Sequence, residues 1–203
     1  MEINMNKIEL NKLYRKLKWI SRILITLNSL ILATSFGICM YYILHFMQIE
    51  IIDILKAIAI VFTPLISIYF AMYIHEMGHA IIYIKNALGY SIENIPSFLD
   101  FITHPLKSKP KCFPLGGEEE LNNFKKNNPR DYLKGCFMGA HTVSIIYLLI
   151  MLFIYLHIKS NLAKAVIIAV LSFSSIIEIG FNIFLCEGNS DGARAKELVE
   201  RLN

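Results

Sequence analysis

The chain has 203 residues, of which 55% are hydrophobic and only 18% charged. Its mean hydropathy is +0.50, which excludes an ordinary water-soluble domain and indicates a polytopic membrane protein. The net charge of +4 is explained by membrane topology, as set out below, and gives no indication of a nucleic-acid partner.

The chain contains four apolar runs that are long enough to cross a bilayer, since about 20 helical residues span a hydrocarbon core of about 30 Å. We predict an all-α membrane protein with four transmembrane helices, at about residues 23–46, 57–84, 136–158 and 165–186. Glu178 and Asn182 in the fourth helix should face other helices, because lipid offers them no hydrogen-bond partner. The loop between the second and third helices has room for a short β-hairpin.

Lysine and arginine are concentrated in three segments: the N-terminal segment, the loop of residues 86–135 and the C-terminal tail. Short loops rich in these residues stay in the cytoplasm. We therefore predict a multi-pass protein of a prokaryotic cell membrane, with both termini and this loop cytoplasmic. The four cysteines form no C-x-x-C pair, and we expect no disulfides.

The second apolar run contains the motif H-E-x-x-H, formed by His75, Glu76 and His79. On a helix, histidines four residues apart lie on one face and can bind one zinc ion. Glu76 projects about 100° round the helix from His75, where it can act as a general base without binding the metal. Ionisable groups are costly in a membrane, so the cluster indicates a functional site, although an interhelical hydrogen-bond cluster is the simpler alternative.

A catalytic zinc site usually has three protein ligands and one open position. Asp191 is our candidate for the third ligand, because it follows the fourth helix at the membrane depth of His75 and His79. A simple Asp-Gly turn is the alternative for Asp191. In a gluzincin-type arrangement, Glu178 or Glu187 would be the third ligand instead.

These motifs resemble those of the site-2 protease family of intramembrane zinc metalloproteases. The resemblance rests on H-E-x-x-H in one membrane helix and an N-x-x-P-x-x-x-x-D-G type motif, here starting at Asn182, in a later one. Leu185 stands where the family has proline, and the spacing from Asn182 to Asp191 is one residue longer than the commonest. Phe113 to Gly117 are similar to a P-L-G-G element of the family, and Gly139 also matches. We predict that residues 1–203 form a single membrane domain. The resemblance covers residues 57–192, which would be the catalytic core, and residues 1–56 would be an additional basic segment and helix.

The resemblance implies an intramembrane protease that binds Zn²⁺ through His75, His79 and Asp191. It would hydrolyse peptide bonds in or near transmembrane segments of membrane-embedded proteins or peptides, with zinc-bound water as nucleophile and Glu76 as general base. Asn182 would help orient the substrate, or else form a helix-to-helix hydrogen bond.

A segment that includes Leu115, Gly116 and Gly117 would offer an edge to an extended substrate, or else form an ordinary turn. We interpret Glu178 as a residue that contacts one of the metal ligands. The alternatives are that Glu178 binds zinc itself or that it only packs between helices. A different class of function is a non-catalytic membrane protein, such as an immunity or scaffold protein that keeps the zinc motif.

Overall fold

The computed structural model describes residues 7–46, 51–85, 118–185, 188 and 190–201, and all the regular structure in these ranges is helical. Side chains at 43–46, 51–63, 65, 83–85, 118–121 and 201 are not part of this description. The helices are α1 (Lys7–Phe46), α2 (Ile51–Lys85), α3 (Glu118–Asn127), α4 (Pro129–His157), α5 (Asn161–Ile179), a π-helical turn (Gly180–Phe184) and α6 (Asp191–Arg201).

Three of these helices contain segments that are long and apolar enough to cross a membrane. The segments are Lys7–Tyr42, Pro129–His157 and Asn161–Phe184. The all-α class and three of the four predicted spans are therefore supported. Helix α2 has 35 residues but its side chains are described only in part, so the fourth span stays a prediction. The predicted hairpin and Leu115, Gly116 and Gly117 lie outside the described residues, in which no strand occurs.

Two helices begin well before the apolar runs that predict them. Helix α1 starts at Lys7 and not near residue 23, because its polar first half also has an apolar stripe: Leu10 is buried and Leu17 packs beside it. Helix α4 starts at Pro129, a residue suited to the first helical turn because it lacks an N–H group to bond. Hydropathy locates the part of a helix that crosses lipid, whereas the helix itself continues into water.

Helices α1 and α2 each pack against both α4 and α5. Two buried hydrogen bonds connect α1 to α4: Asn28 Nδ2 donates to Ser144 Oγ over 2.9 Å, and Ser21 Oγ lies 2.8 Å from His141 Nε2. Because such polar pairs hold helices together where lipid cannot satisfy them, α1 is an integral part of the bundle. The imidazole of His141 therefore takes part in the contact between α1 and α4.

Helix α6 was not predicted as a separate element. Ser190 caps its first turn by accepting a hydrogen bond from the backbone N–H of Ala193 over 3.3 Å. The helix buries Ala195, Leu198 and Val199 in the same apolar cluster as Leu10 of α1. This packing fixes the start of α6, and with it Asp191, against the bundle.

Candidate metal centre

Three potential ligand atoms from α2 and α6 converge on one point. Asp191 Oδ2 lies 3.0 Å from His75 Nε2 and 3.1 Å from His79 Nε2. The two Nε2 atoms are 3.0 Å apart. All three residues are buried, with exposed fractions of 7% for His75, 4% for His79 and 8% for Asp191. The arrangement is a His-His-Asp group that could hold a metal ion.

The two histidines reach this point because α2 and α4 approach each other closely at two glycines. A Cβ atom at Gly78 would come 2.6 Å from the carbonyl oxygen of Met138 on α4. A Cβ atom at Gly139 would come 2.6 Å from Nε2 of His75. Since real Cβ atoms do not approach other atoms so closely, only glycine fits either position without a shift of the helices or the imidazole.

The orientation of His79 is set by a backbone carbonyl. Its Nδ1 atom lies 2.8 Å from the carbonyl oxygen of Gly135 in the second turn of α4. A carbonyl can only accept a hydrogen bond, so Nδ1 of a neutral His79 carries the hydrogen and Nε2 keeps its lone pair. This lone pair faces His75 and Asp191, as is required of a metal ligand.

His75 has a carboxylate on the outer side of its ring. Its Nδ1 atom lies 3.1 Å from Glu178 Oε2, although their angle does not satisfy a hydrogen bond, and Nδ1 is left without one. Asn182 Nδ2 donates to the same Glu178 oxygen over 2.6 Å. The Asn182 amide, predicted to contact either the substrate or another helix, therefore bonds to a carboxylate one turn earlier in the chain. Glu178 therefore favours the His75 tautomer with hydrogen on Nδ1 and a lone pair on Nε2.

Asp191 is brought to the histidines by the segment that follows α5. The last turn before that segment is π-helical, with the backbone N–H of Leu185 bonded to the carbonyl of Gly180 over 2.9 Å. Gly192 then lies directly on this turn, because a Cβ atom there would overlap the carbonyl oxygen of Ile183. As a result, Asp191 is the first residue of α6. It does not form the simple Asp-Gly turn considered as the alternative.

Burial by itself would raise the pKa of Asp191, but its contacts with His79 and His75 outweigh that effect and hold the pKa well below its ordinary value. The carboxylate is therefore ionised at neutral pH. With both imidazoles neutral, two lone pairs and a carboxylate oxygen would face one another at about 3 Å, which is repulsive. The arrangement therefore requires either a proton shared with the histidines or a cation between the three atoms.

The donor set fits a small divalent ion of the first transition row. A tetrahedral ion with bonds of about 2.1 Å requires its donors to be about 3.4 Å apart. The three observed separations fall short of that value by about 0.4 Å or less, within reach of small rotations of the side chains. Nitrogen and carboxylate donors in this ratio suit zinc, cobalt or nickel better than magnesium or calcium.

The structure therefore brings together the three predicted metal ligands, His75, His79 and Asp191. Glu76 is buried on α2 beside them, at 9% exposure, and is not one of the three. Glu187 lies outside the described residues. Two functional features were missed from the sequence, the carbonyl of Gly135 and the close contact at Gly192.

Comparisons with protein-family models, with curated proteins and with solved structures found no match to the chain.

Proposed function

We propose that this protein is an intramembrane zinc metalloprotease of the site-2 protease type, and that it hydrolyses peptide bonds in or near the transmembrane segments of membrane-embedded substrates. The observation that carries the proposal is the convergence of His75 Nε2, His79 Nε2 and Asp191 Oδ2 within 3.1 Å. The two histidines come from α2, which also bears Glu76, and Asp191 comes from α6. Three protein ligands are the number typical of a catalytic zinc site, where water takes the fourth position, whereas a structural site usually has four, and three converge in the described part of the chain.

The proposal includes a four-span topology in a prokaryotic cell membrane, with both termini in the cytoplasm. Its support is the length of α2 and the packing of the chain ends. Leu10 of α1 and Leu198 of α6 belong to one apolar cluster, which puts the beginning of α1 and the C-terminal helix at the same end of the bundle. The many lysines and arginines of these two ends favour the cytoplasmic side.

A zinc ion bound by His75, His79 and Asp191 would polarise the scissile carbonyl and lower the pKa of an attacking water. The chain's own residues perform the remaining tasks. Glu76 takes the proton from that water and delivers it to the leaving amine. Gly135, through its carbonyl, keeps the His79 ring in the tautomer that binds metal. Glu178, itself held by Asn182, places a carboxylate 3.1 Å from His75 Nδ1 and so favours the tautomer of His75 with its hydrogen on that atom.

The position of the site explains how water-dependent chemistry can take place at a membrane. His75 and His79 lie near the end of α2. Asp191 lies beyond the apolar segment Asn161–Phe184, which is formed by α5 and the π-helical turn. A site at this depth meets cytoplasmic water without exposing its charges to lipid. The peptide bond to be cleaved must be extended, since helical hydrogen bonds would otherwise shield it.

The test is to measure zinc content and cleavage separately. Full-length protein in lipid nanodiscs would be incubated with a panel of tagged single-span substrates, and its metal measured by mass spectrometry. We expect Glu76→Gln to keep about one zinc per chain and to lose cleavage by a factor on the order of 100 or more, because the amide cannot accept the proton. Glu200→Gln, at an exposed position of α6, is the matched control and should cleave normally.

Two outcomes would overturn the proposal. Normal cleavage by Glu76→Gln would exclude Glu76 as the base. A wild-type protein that binds zinc but cleaves no member of the panel, in detergent or in lipid, would favour the non-catalytic alternative.

A further inference from the structure

A cavity of about 580 Å³ lies between α1 and α5, far from the metal centre. It is lined by the C-terminal part of α1, the N-terminal part of α5 and Tyr155 of α4. Lys164 in this lining and Glu178 beside His75 are on the same helix, 14 residues and about 21 Å apart along it. The cavity is therefore at the opposite end of the bundle, where α4 and α5 meet, and serves no step of the proposed reaction.

The lining changes from apolar to polar along α5. Ile168 and Ala165 contribute the deeper part, and Lys164 and Asn161 the part next to the end of the helix. On the α1 side, Tyr41 and Tyr42 lie at the polar end. The deeper end of the α1 wall includes two small hydroxyl residues, Thr34 and Ser35, and the Thr34 hydroxyl donates to the carbonyl of Leu30 within α1 over 2.9 Å. This order matches the membrane itself, where hydrocarbon gives way to headgroups and tyrosine is enriched at the boundary.

Positive charge is concentrated at the polar end. Lys164 is the only charged residue among the described residues that line the cavity. Its Nζ atom lies 5.3 Å from the centre of the Tyr155 ring, a cation–π contact that holds the ammonium group at the rim. Asn161 Nδ2 donates to the hydroxyl of Tyr42 over 3.3 Å and thereby joins α5 to α1 across the rim.

Space for an acyl chain is provided by Gly37 on the α1 wall. A Cβ atom added there would meet no other atom within 4 Å, so the cavity remains open along this side of α1. A cavity of this volume is within the range of small-ligand sites, about 300–1,000 Å³. It is open to the surroundings of the helices, which in a membrane are lipid.

We propose that this cavity is a binding site for one anionic phospholipid, with the phosphate at Lys164 and Asn161 and an acyl chain along Gly37 and Ile168. The ammonium group of Lys164 favours a headgroup with a net negative charge, and the apolar side chains of Ala165 and Ile168 favour a lipid over a soluble phosphate. The bound lipid would fill the cleft between α1 and α5 and so hold α1 to the core. This inference is independent of the protease activity.

Native mass spectrometry of the full-length protein in detergent tests the proposal. The probes are phosphatidylglycerol, phosphatidylcholine with the same acyl chains, and glycerol 3-phosphate. We expect retention of phosphatidylglycerol over the other two. Lys164→Gln should weaken it about fivefold, as expected for one lysine near a charged headgroup, and Lys164→Arg should restore it. Lys159 is an exposed lysine in the connection between α4 and α5 and does not line the cavity. Lys159→Gln is therefore the matched control and should leave retention unchanged.

Gly37→Leu provides an independent variant, because its side chain would occupy the space assigned to the acyl chain. It should lower retention without altering the lysine. A helix content in circular dichroism equal to that of the wild type confirms that each variant is folded. Equal retention of the two lipids, unchanged retention in folded Lys164→Gln, or binding of glycerol 3-phosphate alone would overturn the proposal.

Discussion

Gly139 of α4 lies directly against the imidazole of His75, so that a Cβ atom at position 139 would be 2.6 Å from both Cε1 and Nε2 of the ring. The absence of a side chain at Gly139 is therefore part of the metal centre. It leaves the space in which the His75 ring can turn its Nε2 atom toward His79 and Asp191.

Gly139→Ala is expected to weaken zinc binding by about ten- to a hundredfold, the loss typical of disturbing a residue that orients a ligand. The new methyl group must displace either the His75 ring or the whole of α2, and each change separates the three ligand atoms. Competition with a zinc chelator measures the affinity. Gly37→Ala is the control, since a Cβ atom there meets open space. Equal chelator sensitivity in all three proteins would show that the contact has no effect on the metal.

The identity of the third ligand can be decided by two amide substitutions. Asp191→Asn removes the negative charge from an atom 3.0 Å from His75 Nε2 and should lower zinc content severely. Glu178→Gln alters a residue that faces the other side of the His75 ring, at Nδ1, and should keep the zinc with an affinity about tenfold lower.

A cobalt-substituted protein gives a more direct measurement of the same two roles. The visible absorption of bound Co²⁺ reports the number and type of its ligands. Glu178→Gln should keep the wild-type band positions, whereas Asp191→Asn should shift or abolish them. An empty site in Glu178→Gln together with a full site in Asp191→Asn would mean that Glu178 is the third ligand.

The sequence contains enough information to predict that His75, His79 and Asp191 form one group, but not how their side chains are held. His75 and His79 must share a face if residues 75–79 are helical, because the helical period requires it. Their contact with Asp191 depends on where three helices end, and the sequence indicates only a common membrane depth. The carbonyl of Gly135 has no sequence signal at all, since every residue has a backbone carbonyl.

The π-helical turn explains why the approach of Asp191 could not be predicted from spacing. A π turn closes its hydrogen bond over five residues where an α-helix uses four, so Gly180–Phe184 contains one more residue than a regular turn. Leu185 keeps the backbone N–H that bonds to the carbonyl of Gly180, a bond that a proline at this position could not form.

The predicted topology can be tested with reporters fused to the C-terminus and inserted after residue 159. We expect the C-terminus to be cytoplasmic, because it carries Arg194, Lys196 and Arg201, and position 159 to be external. Alkaline phosphatase is active only outside the cytoplasm and a fluorescent protein of the ordinary type only inside it, so the two reporters must give opposite results at each site. An external C-terminus would place Asp191 outside the cytoplasm and contradict the proposed topology.

Gly192 provides a way to move Asp191 without changing its chemistry. A Cβ atom at position 192 would overlap the carbonyl oxygen of Ile183 and lie 3.0 Å from that of Asn182. Both obstacles are backbone atoms of the π turn and cannot rotate away, so the start of α6 must shift in Gly192→Ala. We expect zinc affinity to fall by about tenfold or more while the helix content in circular dichroism stays the same.

Gly180→Ala is the matched control for this substitution, since Gly180 belongs to the same turn but has no atom within 4 Å of an added Cβ. It should bind zinc as the wild type does. Because the ligand atoms of Gly192→Ala are intact and only displaced, a high zinc concentration should restore its occupancy, whereas Asp191→Asn should remain largely empty under the same conditions. Full affinity in Gly192→Ala would show that the contact between α6 and the π turn does not position Asp191.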